Sequence, residues 1–181
     1  MISQTSGQQS NSPALLGIYL NDHLAGATAG SELARRAAAS SRGTPAAALL
    51  RRLADEISQD RASLIDMMRA LGVPRRRYKV GLAWAGEKAA RLKINGRLLT
   101  RSPLSALEEV EMLRLGVEGK AAGWRTLRTL ADSDRRLDAD QLERLMKRAR
   151  AQADQLEEQR VRCAAALTGL DHAGGPETAG E

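Results

Sequence analysis

The chain has 181 residues and a formal net charge of +6; 43% of its residues are hydrophobic, 28% are charged and only 2% are aromatic. Strands depend on β-branched and aromatic side chains, whereas this sequence is built on Ala, Leu, Arg and Glu. The composition therefore argues against a β-sandwich, a β-barrel and an RNA module that stacks bases. Cys163 is the single cysteine and cannot form an intramolecular disulfide, which is typical of a cytoplasmic protein.

The two ends of the chain differ in composition from the part between them. Residues 1–12 contain no Lys or Arg and no apolar core, so they do not resemble a signal peptide. No apolar stretch reaches the ~18 residues that are needed to span a bilayer. We therefore expect one domain over 13–170, without a transmembrane segment, and disordered ends at 1–12 and 171–181.

Five segments have apolar residues at the i, i+3, i+4, i+7 spacing of an amphipathic helix. Three of them begin with a proline that follows Ser or Thr, an arrangement typical of a first helical turn. The predicted helices are 13–41, 45–71, 75–99, 103–131 and 138–170. Long amphipathic helices with short connections pack as antiparallel neighbours. The sequence therefore predicts an all-α, up-and-down four-helix bundle with an additional C-terminal helix.

Several charged residues lie on the predicted inward faces. If the first four predicted helices run alternately up and down, Asp60 lies at the height of Ala27, about one turn from His23. The same reasoning brings Glu87 and Glu111 to that height. A histidine and carboxylates from different helices suit iron, manganese or zinc, so we treat His23, Asp60, Glu87 and Glu111 as candidate metal ligands.

This layout resembles the ferritin-like superfamily over residues 13–131, with 138–170 as an addition. The stretches LNDHLAGATAG and LAWAGEKAARLKINGRLL also resemble signatures of an uncharacterised bacterial family. The resemblance implies a four-helix bundle and, as in the di-iron members, a metal-dependent oxidoreductase. The Glu-x-x-His motif of those members is missing, since no Glu or Asp stands three residues before His23.

A second interpretation of the inward charges is structural. Glu87 can pair with Arg114, and Asp60 can pair with His23 or Arg61, which would make a polar network in the core. This interpretation leads to the hypothesis that we prefer from the sequence. The protein is then non-enzymatic and acts through association with itself or with another protein.

Residues 69–101 are strongly basic. They carry ten Lys and Arg against one Glu, a local charge of 10 − 1 = +9. Such a segment could bind nucleic acid or another anionic surface. Few aromatic residues lie nearby to stack on bases, so the alternative is a solvated face that pairs with the acidic residues at 108–111. The candidate anion-binding residues are Arg75, Arg76, Arg77 and Lys79.

Overall fold

The computed structural model describes residues 12–76 and 103–168, and these residues form four α-helices without a strand. The helices are α1 (Ser12–Ser40), α2 (Ala47–Ala70), α3 (Pro103–Ala131) and α4 (Ala139–Thr168). The all-α prediction is confirmed for this part of the chain. In the same residues, no helix combines the length and the apolar character that a membrane span requires.

Four of the five predicted helices correspond to α1, α2, α3 and α4 within a few residues at each end. Most of the remaining one, together with the predicted disordered ends, lies outside the described residues. Its predicted start at Arg75 is wrong, because Arg75 and Arg76 are described and are not helical. The buried Asn21 side chain holds this segment in another conformation. Its amide donates to the Pro74 carbonyl at 3.1 Å, and its Oδ1 accepts the Arg76 backbone N–H at 2.7 Å.

Side-chain contacts fix the directions of the helices. Arg61 on α2 donates to Thr28 on α1, and Asn21, two turns earlier on α1, donates to the Pro74 carbonyl just after the end of α2, so α1 and α2 are antiparallel. Arg128 pairs with Glu143 and Lys120 with Gln152, so α3 and α4 are antiparallel as well. Each of these pairs forms a helical hairpin with a short connection.

The two hairpins pack against each other through both of their helices. Tyr19 on α1 donates to Thr126 on α3 at 3.0 Å. Arg52 on α2 donates to Gln155 on α4 at 2.7 Å. The α1–α3 contact buries small and aromatic residues, whereas the α2–α4 contact runs through longer polar side chains. α1 and α4 therefore lie diagonally across the arrangement, as do α2 and α3.

The apolar spacing that predicts each helix also predicts a stripe of inward-facing residues along it. The core follows these stripes on α2, α3 and α4. On α1 only Ala34 is buried among the six predicted residues, which are Leu16, Tyr19, His23, Ala27, Gly30 and Ala34. Every residue of the stripe predicted for α2 is buried, and its members are Leu50, Leu53, Ile57, Asp60, Leu64, Met67 and Leu71. Burying a large apolar side chain contributes about 1.5–3 kcal/mol, so this stripe is a main source of stability. Leu167, predicted to face inward on α4, is 44% exposed because it lies in the last turn of the described helix.

The helix ends show which start and stop signals act in the fold. Gly72 ends α2 with φ of 71°, and the following Val73 N–H bonds the Met68 carbonyl at 2.9 Å, as in a Schellman motif. Asp138 caps α4 by accepting the Gln141 N–H at 3.0 Å. The predicted cap at Thr44 is wrong, because its hydroxyl donates to the Ser41 carbonyl and α2 begins without a side-chain cap.

Candidate functional site

A cavity of about 440 Å³ lies between α1, α2 and α3. Buried apolar side chains from all three helices form much of its wall, among them Leu20, Leu64, Val117 and Leu127. Its volume falls within the range of pockets that hold small molecules in proteins, about 300–1,000 Å³. Sites of this kind in helical bundles are built from side chains on facing helices.

Glycines on two helices make the room for this cavity. Gly26 and Gly30 line it from α1, and Gly116 and Gly119 line it from α3. In the described part of the chain, a Cβ built on any of these four would meet no atom within 4 Å apart from its chain neighbours and the nearby backbone of its own helix. A glycine within a helix costs about 0.5–1 kcal/mol relative to alanine. No contact among the described residues offsets this free-energy cost. The open space beside the glycines is compatible with a bound molecule.

One end of the cavity carries three aromatic rings that bear polar groups. The rings of Tyr19 and His23 meet edge to face with centroids 4.4 Å apart. The His23 ring also lies against Gly123, where an added Cβ would be 3.0 Å from its Nδ1. Gly123 thus leaves room for the imidazole. The next residue, Trp124, is only 3% exposed and lines the same cavity, and its buried Nε1 has no hydrogen-bond partner among residues 12–76 and 103–168.

Burial favours the uncharged form of the His23 imidazole. Burial lowers the pKa of His23 below its usual value of 6.5, because the charged ring would lose hydration, and the nearby Asp22 carboxylate opposes this shift only in part. No residue in the described ranges makes a hydrogen bond with the His23 ring. One nitrogen of a neutral imidazole can donate and the other can accept.

At mid-height, the wall of the cavity carries a buried ionic network centred on Asp60, which is 1% exposed. The ammonium group of Lys120 donates to Asp60 Oδ2 at 2.5 Å, and the Arg148 guanidinium pairs with Oδ1. Lys120 also donates to Gln152 at 2.6 Å, and the Gln152 amide donates to Glu56 at 2.9 Å. The buried carboxylate is therefore compensated by two cations, as a buried charge requires.

The charge of Lys120 depends on its burial and on the charged neighbours in this network. Burial lowers the pKa of the Lys120 ammonium below 10.5, while the Asp60 carboxylate raises it through attraction and a hydrogen bond. Arg148 adds to the lowering because it carries the same charge. Removal of Asp60 would leave the ammonium buried beside a second cation, so the network depends on this carboxylate.

The structure describes three of the four predicted metal ligands and does not bring these three together. His23 and Asp60 line one cavity, as their predicted heights require, but Glu111 is exposed and Glu87 lies outside the described residues. Both oxygens of Asp60 are engaged by cations. Within residues 12–76 and 103–168, no group of three or more His, Cys, Asp and Glu is placed to hold a metal ion. The four-residue site stays a prediction, and the described members do not form a donor set by themselves.

The predicted pairing of Asp60 with His23 or Arg61 does not match the structure. Asp60 instead pairs with Lys120 of α3 and Arg148 of α4, while Arg61 donates to Thr28. Of the predicted anion-binding residues, Arg75 and Arg76 are exposed at the end of α2, and Arg77 and Lys79 lie outside the described residues.

Sequence reasoning missed the polar residues that complete the site. Lys120 lies three residues after the buried Val117 and four before Trp124, and Gln152 has the same relation to Ala149 and Leu156. Both positions belong to an inward helical face, and this periodicity was the available signal. Lys and Gln side chains are usually exposed, so neither residue was singled out from the sequence. Comparison of the chain with family models, curated proteins and solved structures finds no match.

Proposed function

We propose that this protein is a non-enzymatic binding protein and that the cavity between α1, α2 and α3 holds a small, mostly apolar molecule. The observation that carries the proposal is the pair of glycine walls. Gly26 and Gly30 face Gly116 and Gly119 across the cavity, and none of them is required by contacts with another described residue. Binding in such a site is driven by removal of apolar surface from water.

The polar groups at the site favour binding over catalysis. Asp60 and Lys120 neutralise each other, so neither is available as a free general base or nucleophile. His23 also lies on the cavity wall, and no described carboxylate hydrogen-bonds to its ring and orients it. A bound molecule would be held rather than transformed.

Binding of the neutral apolar dye N-phenylnaphthylamine tests this proposal. Its fluorescence rises when the dye leaves water, so a titration gives both the affinity and the stoichiometry. We expect one dye per chain in the wild type. Gly116→Leu and Gly119→Leu fill the cavity and should weaken binding about tenfold or more, a change of about 1.4 kcal/mol.

The matched control is Ala122→Leu, which adds a leucine to an exposed position of α3 outside the cavity. This variant should bind the dye like the wild type. Replacing a helical glycine by leucine raises helix propensity, so the Gly116 and Gly119 variants should melt no earlier than the wild type. If they bind as well as the control, the cavity is not the site and the proposal fails.

A second candidate function is self-association, which the sequence hypothesis of a non-enzymatic associating protein also includes. Leu15 and Ile18 lie one turn apart on α1 and are 58% and 39% exposed, an apolar surface that a second copy of the chain could cover. Sedimentation should then show a dimer that Leu15→Gln with Ile18→Gln dissociates. A monomeric wild type at every concentration would exclude this function.

The predictions from the sequence about superfamily, location, metal binding and nucleic-acid binding are also proposals. The ferritin-like bundle over residues 13–131 is supported by the long helices α1, α2 and α3, and its remaining predicted helix lies mostly outside the described residues. A cytoplasmic location is supported by the free thiol of Cys163. A metal-dependent activity and a nucleic-acid interface are less well supported, because Glu87 and most of the basic segment contribute no described contact. Metal analysis of the purified full chain addresses the first, and salt-dependent binding to nucleic acid addresses the second.

A further inference from the structure

One cation on the cavity wall has no counterion among the described residues. Arg61 of α2 lines the cavity and is half-buried. Its Nε donates to the Thr28 hydroxyl on α1 at 2.9 Å, and that hydroxyl donates in turn to the Leu24 carbonyl at 2.8 Å. No carboxylate within residues 12–76 and 103–168 pairs with the guanidinium. Arg61 therefore brings a positive charge to an apolar cavity without the partner that a partly buried charge usually has.

The hydrogen bond to Thr28 leaves the end of the guanidinium available to a ligand. The bond uses Nε, and in the described part of the chain neither Nη1 nor Nη2 of Arg61 donates to another residue. These two nitrogens keep accessible surface, whereas the Nε1 atom of Trp124 is enclosed. The end of a guanidinium presents two parallel N–H groups, which match the two oxygens of a carboxylate. A molecule in the cavity can therefore pair with Arg61 through both nitrogens.

The charges next to Arg61 on the wall also favour an anion. Asp60 is shared by two cations, Lys120 and Arg148, so these three groups carry a net charge of 2 − 1 = +1. Glu56, which is near Lys120, has its own counterion in a guanidinium of the same helix at 3.7 Å. A ligand carboxylate at this height would therefore meet attraction, and a ligand ammonium would meet repulsion.

The remaining carboxylate on the wall determines the orientation of such a ligand. Asp22 is exposed and lies beside His23, at the aromatic end of the cavity. It precedes Thr28 by six residues on α1, which is about 9 Å along the helix axis, so a carboxylate bound at Arg61 is held away from it. Tyr19 precedes Thr28 by nine residues, about 13 Å along the axis, and this length is available to the apolar part of the ligand.

We propose, on the premise that the cavity is the binding site, that its ligand is an amphipathic monocarboxylate whose oxygens accept hydrogen bonds from Nη1 and Nη2 of Arg61. The apolar body of the molecule extends past Gly26 and Gly119 towards the aromatic end of the cavity. Removal of this body from water drives binding. The pair with Arg61 fixes the orientation of the ligand and selects it over a neutral molecule of the same shape.

Two dyes with the same aromatic skeleton test this assignment. Anilinonaphthalene sulfonate is N-phenylnaphthylamine with one added sulfonate, an oxyanion that a guanidinium binds as it binds a carboxylate. Arg61→Gln removes the cation and keeps a side chain that can form hydrogen bonds. We expect the sulfonate dye to bind about tenfold more weakly to this variant than to the wild type, as for the loss of hydrogen bonds to a charged group. Binding of N-phenylnaphthylamine should stay within about twofold.

The matched control is Arg51→Gln, which removes the same charge from an exposed position of α2 outside the cavity. Both dyes should bind to this variant as they bind to the wild type. Decanoate then tests the proposed class of ligand itself. It should displace N-phenylnaphthylamine from the wild type at about tenfold lower concentration than from Arg61→Gln.

The dependence of binding on salt gives a second measure that needs no variant. Salt screens an ion pair that is open to water, so the affinity of the wild type for the sulfonate dye should fall as NaCl is added. The affinity for N-phenylnaphthylamine should not fall. This comparison keeps the test valid if Arg61→Gln does not fold.

The outcomes separate the two levels of the proposal. If Gly119→Leu weakens binding of both dyes, but Arg61→Gln changes them equally or binding of the sulfonate dye does not depend on salt, the cavity binds apolar molecules and the assignment of the carboxylate is wrong. If neither dye binds, or if Gly119→Leu has no effect, the proposed function itself fails. Selective weakening of the sulfonate dye and of decanoate in Arg61→Gln, with Arg51→Gln unchanged, supports both levels.

Discussion

The charge of Asp60 should be the largest single polar contribution to the stability of this fold. Asp60→Asn keeps the shape of the side chain and removes its charge. Lys120, whose side chain is 12% exposed, then remains buried as a cation beside Arg148. Breaking a buried ion pair at one partner costs about 3–5 kcal/mol. The lower end applies here, because the Arg148 side chain is 30% exposed and Glu56 lies near Lys120.

A loss of about 3 kcal/mol is a large part of the 5–15 kcal/mol that stabilises a typical domain. At this chain length it corresponds to a fall in Tm of roughly 6–12 °C. Urea unfolding followed by circular dichroism measures the free energy, and the matched control is Asp66→Asn. Asp66 pairs with Arg69 through side chains that are 64% and 73% exposed, so its substitution should cost less than about 0.5 kcal/mol.

The dependence of stability on pH tests the same network. A lysine whose pKa is lowered by folding binds fewer protons in the folded than in the unfolded state, so stability rises with pH below the unfolded value of about 10.5. Asp60→Asn removes the main group that raises this pKa, so the variant should recover stability over a wider alkaline range than the wild type. If Asp60→Asn lowers the free energy of unfolding by less than about 1 kcal/mol, or by the same amount at pH 7 and at about pH 10, the role given to this network is refuted.

Three further predictions follow from local geometry. Hydrogen bonds from Arg136 to the Asp134 carboxylate lower the pKa of Asp134 from 3.8 to about 2, and an NMR titration should show this midpoint. The stability due to the carboxylate should be lost as pH falls from 3.8 towards 2, and Arg136→Gln should return the midpoint towards 3.8. Gly72→Ala should destabilise the protein by about 1 kcal/mol in thermal unfolding, because the φ of Gly72 is 71°. Gly116 is helical and has open space beside it, so Gly116→Ala should stabilise the protein by about 0.5–1 kcal/mol. A change in stability of the same sign for both variants would contradict this structure. Asn21→Ala should speed hydrogen exchange at the Arg76 amide and cost about 1–3 kcal/mol in urea unfolding; unchanged exchange would show that Asn21 does not hold this segment.

Much of the fold could be predicted from the sequence because it follows from periodicity. The α2 stripe was predicted residue by residue, including the buried Asp60, since a helix turns every 3.6 residues and the apolar positions define its inner face. The register of α1 against α2 was also predicted closely, because a short connection fixes which residues lie at the same height. The caps were less predictable: Thr44 bonds backwards to Ser41 although its sequence context suits a cap.

The site was only partly predictable because rotation and partner choice are three-dimensional. His23 and Asp60 were expected at a shared height, and both line the cavity. The partners of Asp60 were not foreseen, since Lys120 and Arg148 come from α3 and α4, and spacing within one helix does not show which residues another helix brings. The glycines of α1 were expected to allow close helix contact, whereas Gly26 and Gly30 open a space instead.

The central claim is that the glycine-walled cavity is where this protein binds. An ¹⁵N-labelled full chain titrated with N-phenylnaphthylamine tests this claim most directly, because each backbone amide reports its own surroundings. We expect the largest shifts at the amides of Gly26, Gly30, Gly116 and Gly119, saturating at one dye per chain. Shifts confined to the exposed face around Leu15 and Ile18, or no saturable shifts, would contradict the claim.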